Sequence, residues 1–352
     1  MTDEYLTSRG NRRPQSFSRK TLVVTFNVVN ERGLTDQLTL DEGHRIRATI
    51  SHAGMGIGTE LSLTIEGMRP DLMNRLSFVA NRSNMENPTV TNQSSSTVEL
   101  RAGTYGKALT LVFTGSIRTS FASFNSGSSV FNVKAQMITL LSDSITDPIS
   151  YSGSVPVPAI LSDICTSAGL AFADHGGWKD CPHLSNHYAG GTALDKIADV
   201  VHAAGGTWNL TNFQDRSTAE GQSRTGIVHA WGSAYSGNEV KRTLPLINHQ
   251  SGMIGYPEYN DTGISLDCLF RPDISFYEPI EVRSSQMPAG WEAQENDKNQ
   301  QGQYIGSSVW NGYWLPLFIS HDLSSEVPNG PWMTHIECQR VVGNIEYAIT
   351  TR

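Results

Sequence analysis

Residues 251–285 read SGMIGYPEYNDTGISLDCLFRPDISFYEPIEVRSS, and they decide the fold class of this chain. The stretch predicts two short strands, residues 263–270 and residues 279–283, separated by the turn signal Arg271-Pro272-Asp273. Ahead of the strands, residues 252–257 form an apolar entry that is bracketed by glycines. No residue in the stretch has the surroundings of a catalyst. The stretch therefore predicts a small β module with a structural role.

The composition of the chain favours several domains rich in short strands. Its 352 residues are too many for one ordinary core and enough for two or three domains. Charged residues make up 17% of the chain, below the usual quarter, whereas residues typical of tight turns are plentiful. The net charge of −8 and the pI of about 5.7 argue against a large basic surface that grips DNA.

Compartment signals point to a soluble protein of cytosolic origin. The first 20 residues contain no apolar core, so we expect no signal peptide, and no stretch approaches the roughly 20 apolar residues of a membrane-spanning helix. None of the four cysteines forms a CxxC pair, and Cys268 and Cys338 lie within apolar strand patterns. These patterns predict buried free thiols in a reducing compartment.

The hydrophobic pattern divides the chain into four parts. We predict a polar N-terminal arm (1–20), a first β-barrel domain (21–150), an α/β middle domain (151–243) and a second β-barrel domain (244–352). The second barrel contains a polar loop, residues 287–312, that is longer than a normal hairpin connection. The predicted fold class is therefore mainly β with an α/β insert.

Specific segments support this division. The first barrel shows strand patterns at residues 22–29, 45–50, 60–67, 98–102, 109–113 and 130–135, and a short helical turn that begins at Pro70. In the middle domain, apolar residues at helical spacing predict a helix within residues 155–170 that stops at Gly169, and a second helix at about 192–204, and strands follow at 207–210 and 227–231. The C-terminal part returns to strands, at 314–323 and 332–338.

No sequence motif assigns catalytic or metal chemistry. The chain contains no P-loop, no GxGxxG after a strand, no HExxH and no GxSxG. His175, Cys181, His183 and His187 are residue types that zinc binds, but their spacing matches no zinc pattern, so we predict a polar loop and no metal site.

Two further groups of polar residues could suggest catalysis, but we interpret both groups as structural. His321 and Asp322 stand beside Ser320 and near Ser324, but neighbouring residues of a strand point to opposite faces and cannot easily act together. Glu66 and Asp71 could be paired as acid and base, yet a carboxylate at a barrel rim and one at a helix start are expected instead. We predict no catalytic residue and no bound cofactor.

Tryptophans provide the candidates for a contact surface. Trp208 lies in a strand pattern, and so does Trp332, and both are expected in the core. Trp291, Trp310 and Trp314 flank the long polar loop, so we predict that they contribute to an interface.

The segments together resemble the baseplate hub protein of contractile-tailed bacteriophages, in its Mu-like branch. The resemblance covers about residues 20–345 and is carried by the order and spacing of residues 45–50, 61–68, 73–77, 100–103, 111–117, 252–257, 263, 268–269 and 328–334. The polar loop 287–312 departs from the pattern of the family, so its contacts cannot be transferred.

The resemblance implies a structural role in a phage virion, with synthesis in the host cytoplasm. It implies a homotrimeric ring in which each chain offers two similar barrels, so that the ring joins the six-fold tail tube to the three-fold central spike. Its implied partners are the tail tube protein, the central spike protein and the tape-measure protein. DNA would pass through the lumen without specific binding, and we expect acidic side chains to line that lumen.

Two alternatives come from other functional classes. A tail-associated cell-wall hydrolase would need a buried acid with a raised pKa, and the middle domain offers Asp163, Asp195 and Asp199. A carbohydrate-binding β protein would use Trp291 and Trp310.

For the second barrel we also predict which apolar side chains are buried. We expect Ile254 and Leu269 to be buried there, so that a charge at either position would disrupt folding by burying an unpaired group.

Overall fold

The computed structural model describes residues 18–29, 35–54, 58–79, 96–125, 128–137, 146–212, 226–235, 244–260, 263–284 and 310–341. Its internal contacts divide the chain into two compact units. The N-terminal unit comprises Ser18–Tyr235 and Asp322–Pro331, and the C-terminal unit comprises Ser236–His321 and Trp332–Arg352. The division into four parts that we made from the sequence stays a prediction.

The first part of the N-terminal unit is an antiparallel sheet. Its elements are β1 (Lys20–Val29), β2 (Thr35–Leu40), β3 (Arg45–His52), β4 (Thr59–Glu66), α1 (Pro70–Leu76), β5 (Phe78–Val79), β6 (Thr97–Thr104), β7 (Thr110–Asn125) and β8 (Ser128–Gln136). Its strand order is β2-β1-β6-β7-β8-β4-β3, and β5 pairs with β7. The mainly β fold predicted for this region is confirmed, although β2 was not predicted and β7 is much longer than residues 109–113.

Strict alternation along β3 and β4 creates the core side of this sheet. Ile46, Ala48 and Ile50 are buried on β3, and their cross-strand partners on β4 are Ile65, Leu63 and Leu61. Burial of each large side chain contributes roughly 1.5–3 kcal/mol. Because side chains of a strand alternate between its faces, this inward row leaves every second residue of β3 and β4 pointing outward.

The chain turns sharply between β4 and α1. Gly67 has a φ of +89°, a left-handed conformation that favours glycine, and Pro70 then occupies the start of the helix. The helix buries Met73 and Leu76. The short helical turn predicted to begin at Pro70 is confirmed.

The second part of the N-terminal unit is the α/β insert. Its elements are β9 (Ile149–Ser150), β10 (Ser154–Pro156), α2 (Val157–Ser167), β11 (Ala171–Asp174), β12 (His183–Ser185), β13 (Tyr188–Ala189), α3 (Ala193–Ala203), β14 (Thr207–Asn212) and β15 (Gly226–Trp231). Antiparallel β14 and β15 form the predicted pair, and β11 adds to β15 in parallel. Both predicted helices are confirmed, and their buried residues join one core with Trp208 and Leu210.

Helix α3 has a strong start signal. The Thr192 hydroxyl accepts from the backbone N–H of Asp195, and the Asp195 carboxylate accepts from the backbone N–H of Thr192. This reciprocal capping box satisfies two backbone donors that a helix start otherwise leaves without partners.

The buried lysine of α3 holds the segment that leads into the insert. Lys196 is 0% exposed, and its ammonium donates to the carbonyl oxygens of Thr146 and Asp147 and to the Thr146 hydroxyl. Three hydrogen bonds thus satisfy the buried ammonium, and all of them go to the two residues at the start of the insert. Lys196 therefore links helix α3 to residues 146–147, which precede β9.

Replacing Lys196 by methionine should lower the free energy of unfolding by about 3 kcal/mol, because three acceptors lose a charged donor at once. Urea unfolding monitored by tryptophan fluorescence measures this change. Lys179→Met is the matched control, since Lys179 is exposed in the same insert and should change stability by less than about 0.5 kcal/mol. Equal losses of unfolding free energy in both variants would contradict the proposed role of Lys196 in holding residues 146–147.

The C-terminal unit is a second, smaller β structure. Its elements are β16 (Leu246–Ile247), β17 (Met253–Asn260), β18 (Gly263–Leu269), β19 (Ile280–Val282), β20 (Gly312–Ser325) and β21 (Trp332–Arg340), and the residues of β20 from Asp322 onward belong to the N-terminal unit. The strand order is β17-β18-β21-β20-β19-β16. Ile264, Leu266 and Cys268 point into its core, and both strands predicted in residues 251–285 are confirmed.

Two expectations about this unit are wrong. Residues 253–260 form the strand β17, whereas the sequence indicated only an apolar entry. Ile254 is 43% exposed, because it pairs with Asp267 on the outer face of β18, while Met253 pairs with Cys268 on the inner face. Leu269 is only half-buried, since the alternation that buries Cys268 points it the other way.

Some predicted segments lie outside the described residues. These are residues 1–17 of the N-terminal arm and residues 287–309 of the polar loop, whereas Lys20 already belongs to β1. Within the described ranges, no helix has the length and apolar character needed to cross a membrane. The four cysteines are free, and burial raises the pKa of the Cys165 and Cys268 thiols to about 12. The prediction of buried free thiols at Cys268 and Cys338 is confirmed.

Candidate functional site

The most extensive surface feature of the N-terminal unit is a polar sheet face. We use this name for the outward side chains of β3, β4 and β8, which are Arg45, Arg47, Thr49, Ser51, Glu60, Ser62, Thr64, Glu66, Asn132, Lys134 and Gln136. The register aligns them in rows across the strands, for example Thr49 with Ser62 and Ser62 with Lys134. The opposite side of the same strands is the apolar core, so the polar sheet face follows directly from the two-residue period.

Side chains on this face are linked mainly to one another across strands. Arg45 lies 3.7 Å from Glu66, and the Glu60 carboxylate accepts a hydrogen bond from the Gln136 amide. The Thr49 hydroxyl donates to Asp322 over 2.7 Å. Exposed pairs of this kind contribute little stability, about 0–1 kcal/mol each. Their effect is to present a hydrated surface of mixed charge with few apolar contacts.

Two pairs of exposed aromatic side chains lie elsewhere on the described surface. Phe121 and Phe124, 49% and 64% exposed, lie near the end of β7, where it leads into β8. Tyr256 and Tyr259, 54% and 50% exposed, lie on β17 in the C-terminal unit, beside exposed Ile254. Aromatic side chains that are half in water are characteristic of surfaces that contact partners.

The structure places the predicted interface tryptophans differently from the expectation. Trp310 and Trp314 are each 2% exposed and belong to the core of the C-terminal unit, where the Trp314 indole N–H donates to the Trp310 carbonyl over 2.9 Å. The described surface therefore does not present them to a partner. Trp291 lies outside the described residues, and its interface role stays a prediction.

Trp310 nevertheless supports the aromatic surface that the sequence analysis missed. The ring centroids of Tyr256 and Tyr259 lie 5.7 Å and 6.1 Å from that of Trp310. A buried indole thus orients two exposed tyrosines. The signal available in the sequence was the closely spaced pair of tyrosines in GYPEY, which was interpreted only as an apolar entry.

The histidines of the insert form no metal site among the described residues. His175 pairs with His229 instead, with 2.8 Å between Nε2 and Nδ1, and its ring stacks on Trp231 at 4.6 Å between centroids. His183 lies on β12, and the Cys181 thiol faces its carbonyl oxygen. The structure therefore does not bring the four candidate residues together.

The candidate acidic and hydrolytic residues also have separate partners. The His321 ring shares a hydrogen bond of 2.9 Å with the Thr334 hydroxyl, whereas Asp322 accepts from Thr49. Asp71 forms an ion pair with Arg69, and the hydrogen bond from Arg69 lowers the pKa of the Asp71 carboxyl. The rim and helix-start interpretation of Glu66 and Asp71 is consistent with these contacts.

The carboxylates of the insert lack the environment of a general acid. Asp163, Asp195 and Asp199 are all exposed. Hydrogen bonds from Thr192 lower the pKa of Asp195, which is the opposite of what a proton donor near neutral pH requires. Asp163 accepts from the Tyr151 hydroxyl over 3.0 Å, and burial together with this contact raises the pKa of Tyr151 to about 12.

Comparisons with known proteins identify the fold. No protein-family model matches the sequence, and no curated protein matches it. Among solved structures, the tail protein from Neisseria meningitidis MC58 is similar, with a TM-score of 0.50 and 10% identity over 91% of this chain and 96% of that chain. At such low identity the likeness shows the fold alone, so this chain has the fold of that tail protein, in agreement with the resemblance in the sequence.

Two further structures give lower scores. The 43 kDa tail protein of prophage MuSo2 from Shewanella oneidensis has a TM-score of 0.47 and 9% identity, over 91% of this chain and 98% of that chain. The E. coli c3393 protein, a type VI secretion component similar to the T4 bacteriophage tail proteins gp27 and gp5, has a TM-score of 0.46 and 10% identity. That match covers 94% of this chain and 75% of the E. coli chain.

Proposed function

We propose that this protein is a structural baseplate hub subunit of a contractile phage tail, and that it acts without catalysis. The fold that it shares with the Neisseria tail protein, over 91% of the chain, is the observation that supports this proposal most strongly. The sequence motifs that resemble the hub family lie in both β parts of the chain. In this role the protein is a virion component that is made in the host cytoplasm.

In the proposed assembly, three copies form a ring between the tail tube and the central spike. Each of the two units contains a large, mainly antiparallel β structure, with β16 and β19 as a parallel pair in the C-terminal unit. Three chains would therefore supply six β structures to a six-fold tube while keeping three-fold symmetry toward the spike. The tape-measure protein would end in the channel of this ring.

The polar sheet face is suited to be the wall of that channel. It offers hydrogen-bonding groups and charges of both signs but few apolar side chains, so a passing polymer finds little apolar surface to adhere to. Arg45, Arg47 and Lys134 stand among Glu60 and Glu66 on this face. The wall that we propose is thus mixed in charge, and it replaces our expectation of an acidic lining.

The exposed aromatic residues are suited to contacts between subunits. Among the described strands, β17 ends the strand order of the C-terminal unit, so its outer edge is suited to pair with another chain, and Tyr256 and Tyr259 add apolar area there. We assign the Tyr256–Tyr259 surface to the contact between copies of this chain.

The mass of the purified protein in solution tests the assembly. Multi-angle light scattering should give three times the chain mass of 38.5 kDa for the protein alone, or three chain masses plus the mass of the spike when the spike protein is added. A protein that stays monomeric at high concentration and ignores the spike would overturn the proposal.

Replacing both Tyr256 and Tyr259 by serine should weaken the trimer, raising its dissociation constant at least tenfold, because two hot-spot aromatics are lost. Analytical ultracentrifugation over a concentration series measures this constant. Tyr188→Ser is the matched control, since Tyr188 is 65% exposed in the insert and should leave assembly unchanged. A double variant as tightly assembled as the parent protein would place the contact elsewhere.

A further inference from the structure

A groove of about 360 Å³ opens on the outer side of the sheet in the N-terminal unit. Two cationic side chains, Arg118 of β7 and Lys134 of β8, line it together with hydroxyl side chains from β3, β4 and β7. The hydroxyl residues are Thr49, Ser51, Ser62 and Thr119. The side chains that line the groove therefore include many hydrogen-bond donors.

A break in the strand register places Arg118 in this groove. Ile117 pairs with Ala135 and Thr119 pairs with Lys134, so Arg118 is an extra residue on β7 with no partner of its own. Such a bulge redirects a side chain that regular alternation would aim elsewhere, and bulges are common next to binding sites. Here the bulge puts the guanidinium in the same groove as the Lys134 ammonium.

Both cations lack a counter-charge within the described part of the chain. Neither Arg118 nor Lys134 forms an ion pair or side-chain hydrogen bond with a described residue. The carboxylate nearest to them in the lining, Glu60, is engaged by the Gln136 amide. Some other surface arginines of this unit do have partners, such as Arg45 with Glu66 and Arg75 with Asp36. Arg118 and Lys134 are thus available to bind an anion.

We propose that this groove binds a phosphate group, as free phosphate or a phosphate monoester. Arg118 provides a fork of N–H donors, Lys134 provides three more, and the hydroxyls can complete the shell. These donors exceed what the two oxygens of one carboxylate can accept, whereas the oxygens of a phosphate can accept them. Glu60 adds an acceptor for a P–OH proton, which a phosphodiester lacks.

The groove lies on the polar sheet face, but the proposal rests on the lining of the groove and does not require that face to be a channel wall. Inorganic phosphate and an oligothymidylate with unphosphorylated ends are the two probes, because they separate free phosphate from a nucleic-acid backbone. Equilibrium dialysis of the full chain against radiolabelled phosphate should show saturable binding with a dissociation constant on the order of 1 mM at low salt. The oligothymidylate should compete only weakly.

Arg118→Gln should raise the dissociation constant for phosphate about tenfold, and Lys134→Gln should have a similar effect. Arg47→Gln is the matched control: it removes the same charge from the same sheet but lies outside the groove, so binding should stay within twofold. Because Arg118 is at a bulge, Arg118→Lys provides a second variant that keeps the charge and should bind with intermediate affinity.

Absence of saturable phosphate binding would overturn the proposal, and so would equal losses in Arg118→Gln and Arg47→Gln. If the oligothymidylate binds more tightly than phosphate and Arg118→Gln abolishes its binding, the proposed preference for free phosphate or a monoester is overturned and the groove binds a nucleic-acid backbone instead. Unchanged thermal unfolding in each variant shows that the fold was kept.

Discussion

Replacing Asp273 by alanine should lower the free energy of unfolding by about 3–5 kcal/mol, one of the two largest losses that we expect for this chain. The reason is that Arg271 is only 5% exposed and donates to both carboxylate oxygens of Asp273, over 2.9 Å and 2.8 Å. Removing the carboxylate would leave a buried guanidinium without its counter-charge.

The pair also holds the surrounding turn together. A second arm of the Arg271 guanidinium donates to the Leu246 carbonyl over 3.1 Å, and the backbone N–H of Arg271 donates to the Thr334 hydroxyl. Burial by itself lowers the pKa of Arg271, but the hydrogen bond and charge of Asp273 outweigh it, so the pKa is raised. The guanidinium therefore remains charged and joins residues that are distant in sequence.

Urea unfolding and near-ultraviolet circular dichroism measure the effect of Asp273→Ala. The double variant Arg271→Met, Asp273→Leu is the informative control, because it removes both charges and should recover much of the loss. The exposed pair Arg69 and Asp71 supplies a second control, since Asp71→Ala should leave the free energy of unfolding nearly unchanged. A stable Asp273→Ala protein would show that the buried pair does not hold this turn.

Leu266→Asp should prevent the C-terminal unit from folding, with a loss of more than about 4 kcal/mol. Leu266 is 3% exposed in the middle of β18, and Ile336 of β21 is its cross-strand partner. An aspartate there would bury a carboxylate among apolar side chains, where no described cation could pair with it. We expect aggregation or a molten C-terminal unit.

Ile254→Asp is the matched control for this substitution. It introduces the same charge into the neighbouring strand β17, but Ile254 is 43% exposed, so stability should change by less than about 0.5 kcal/mol. Leu269→Asp should fall between the two, because Leu269 is half-buried. Soluble expression and thermal unfolding rank the three variants, and an order in which Ile254→Asp is the most damaging would contradict the register of β17 and β18.

The sequence predicts most of the secondary structure because side-chain alternation and helix capping depend on residues that are close together in the chain. Ile46, Ala48 and Ile50 alternate with polar residues, and that alternation alone assigns one face of β3 to the core. Thr192 and Asp195 similarly specify the start of α3 before any tertiary contact is considered. The resemblance to a hub protein also depends on order and spacing along the chain, and the fold comparison confirms its structural part.

Strand β17 shows where such patterns fail. Gly255 and Pro257 are poor strand formers, and the pairing with β18 has a register irregularity between Ile254 and Glu258. The strand forms because β18 supplies hydrogen bonds on both sides of that irregularity. Which side of β17 faces water therefore depends on a partner strand, and the pattern of residues 252–257 does not specify it.

By itself, the sequence determined the fold class, the two predicted helices of the insert, the buried thiols and the turn at Arg271-Pro272-Asp273. These depend on side-chain period, capping and turn chemistry, which act over a few residues. Only the tertiary structure decided that Arg271 is a buried ion-pair partner, that Trp310 and Trp314 are core residues, and that Arg118 and Lys134 share a groove. Each of these depends on contacts between segments far apart in the chain, and no local pattern records which distant residues a folded chain brings together.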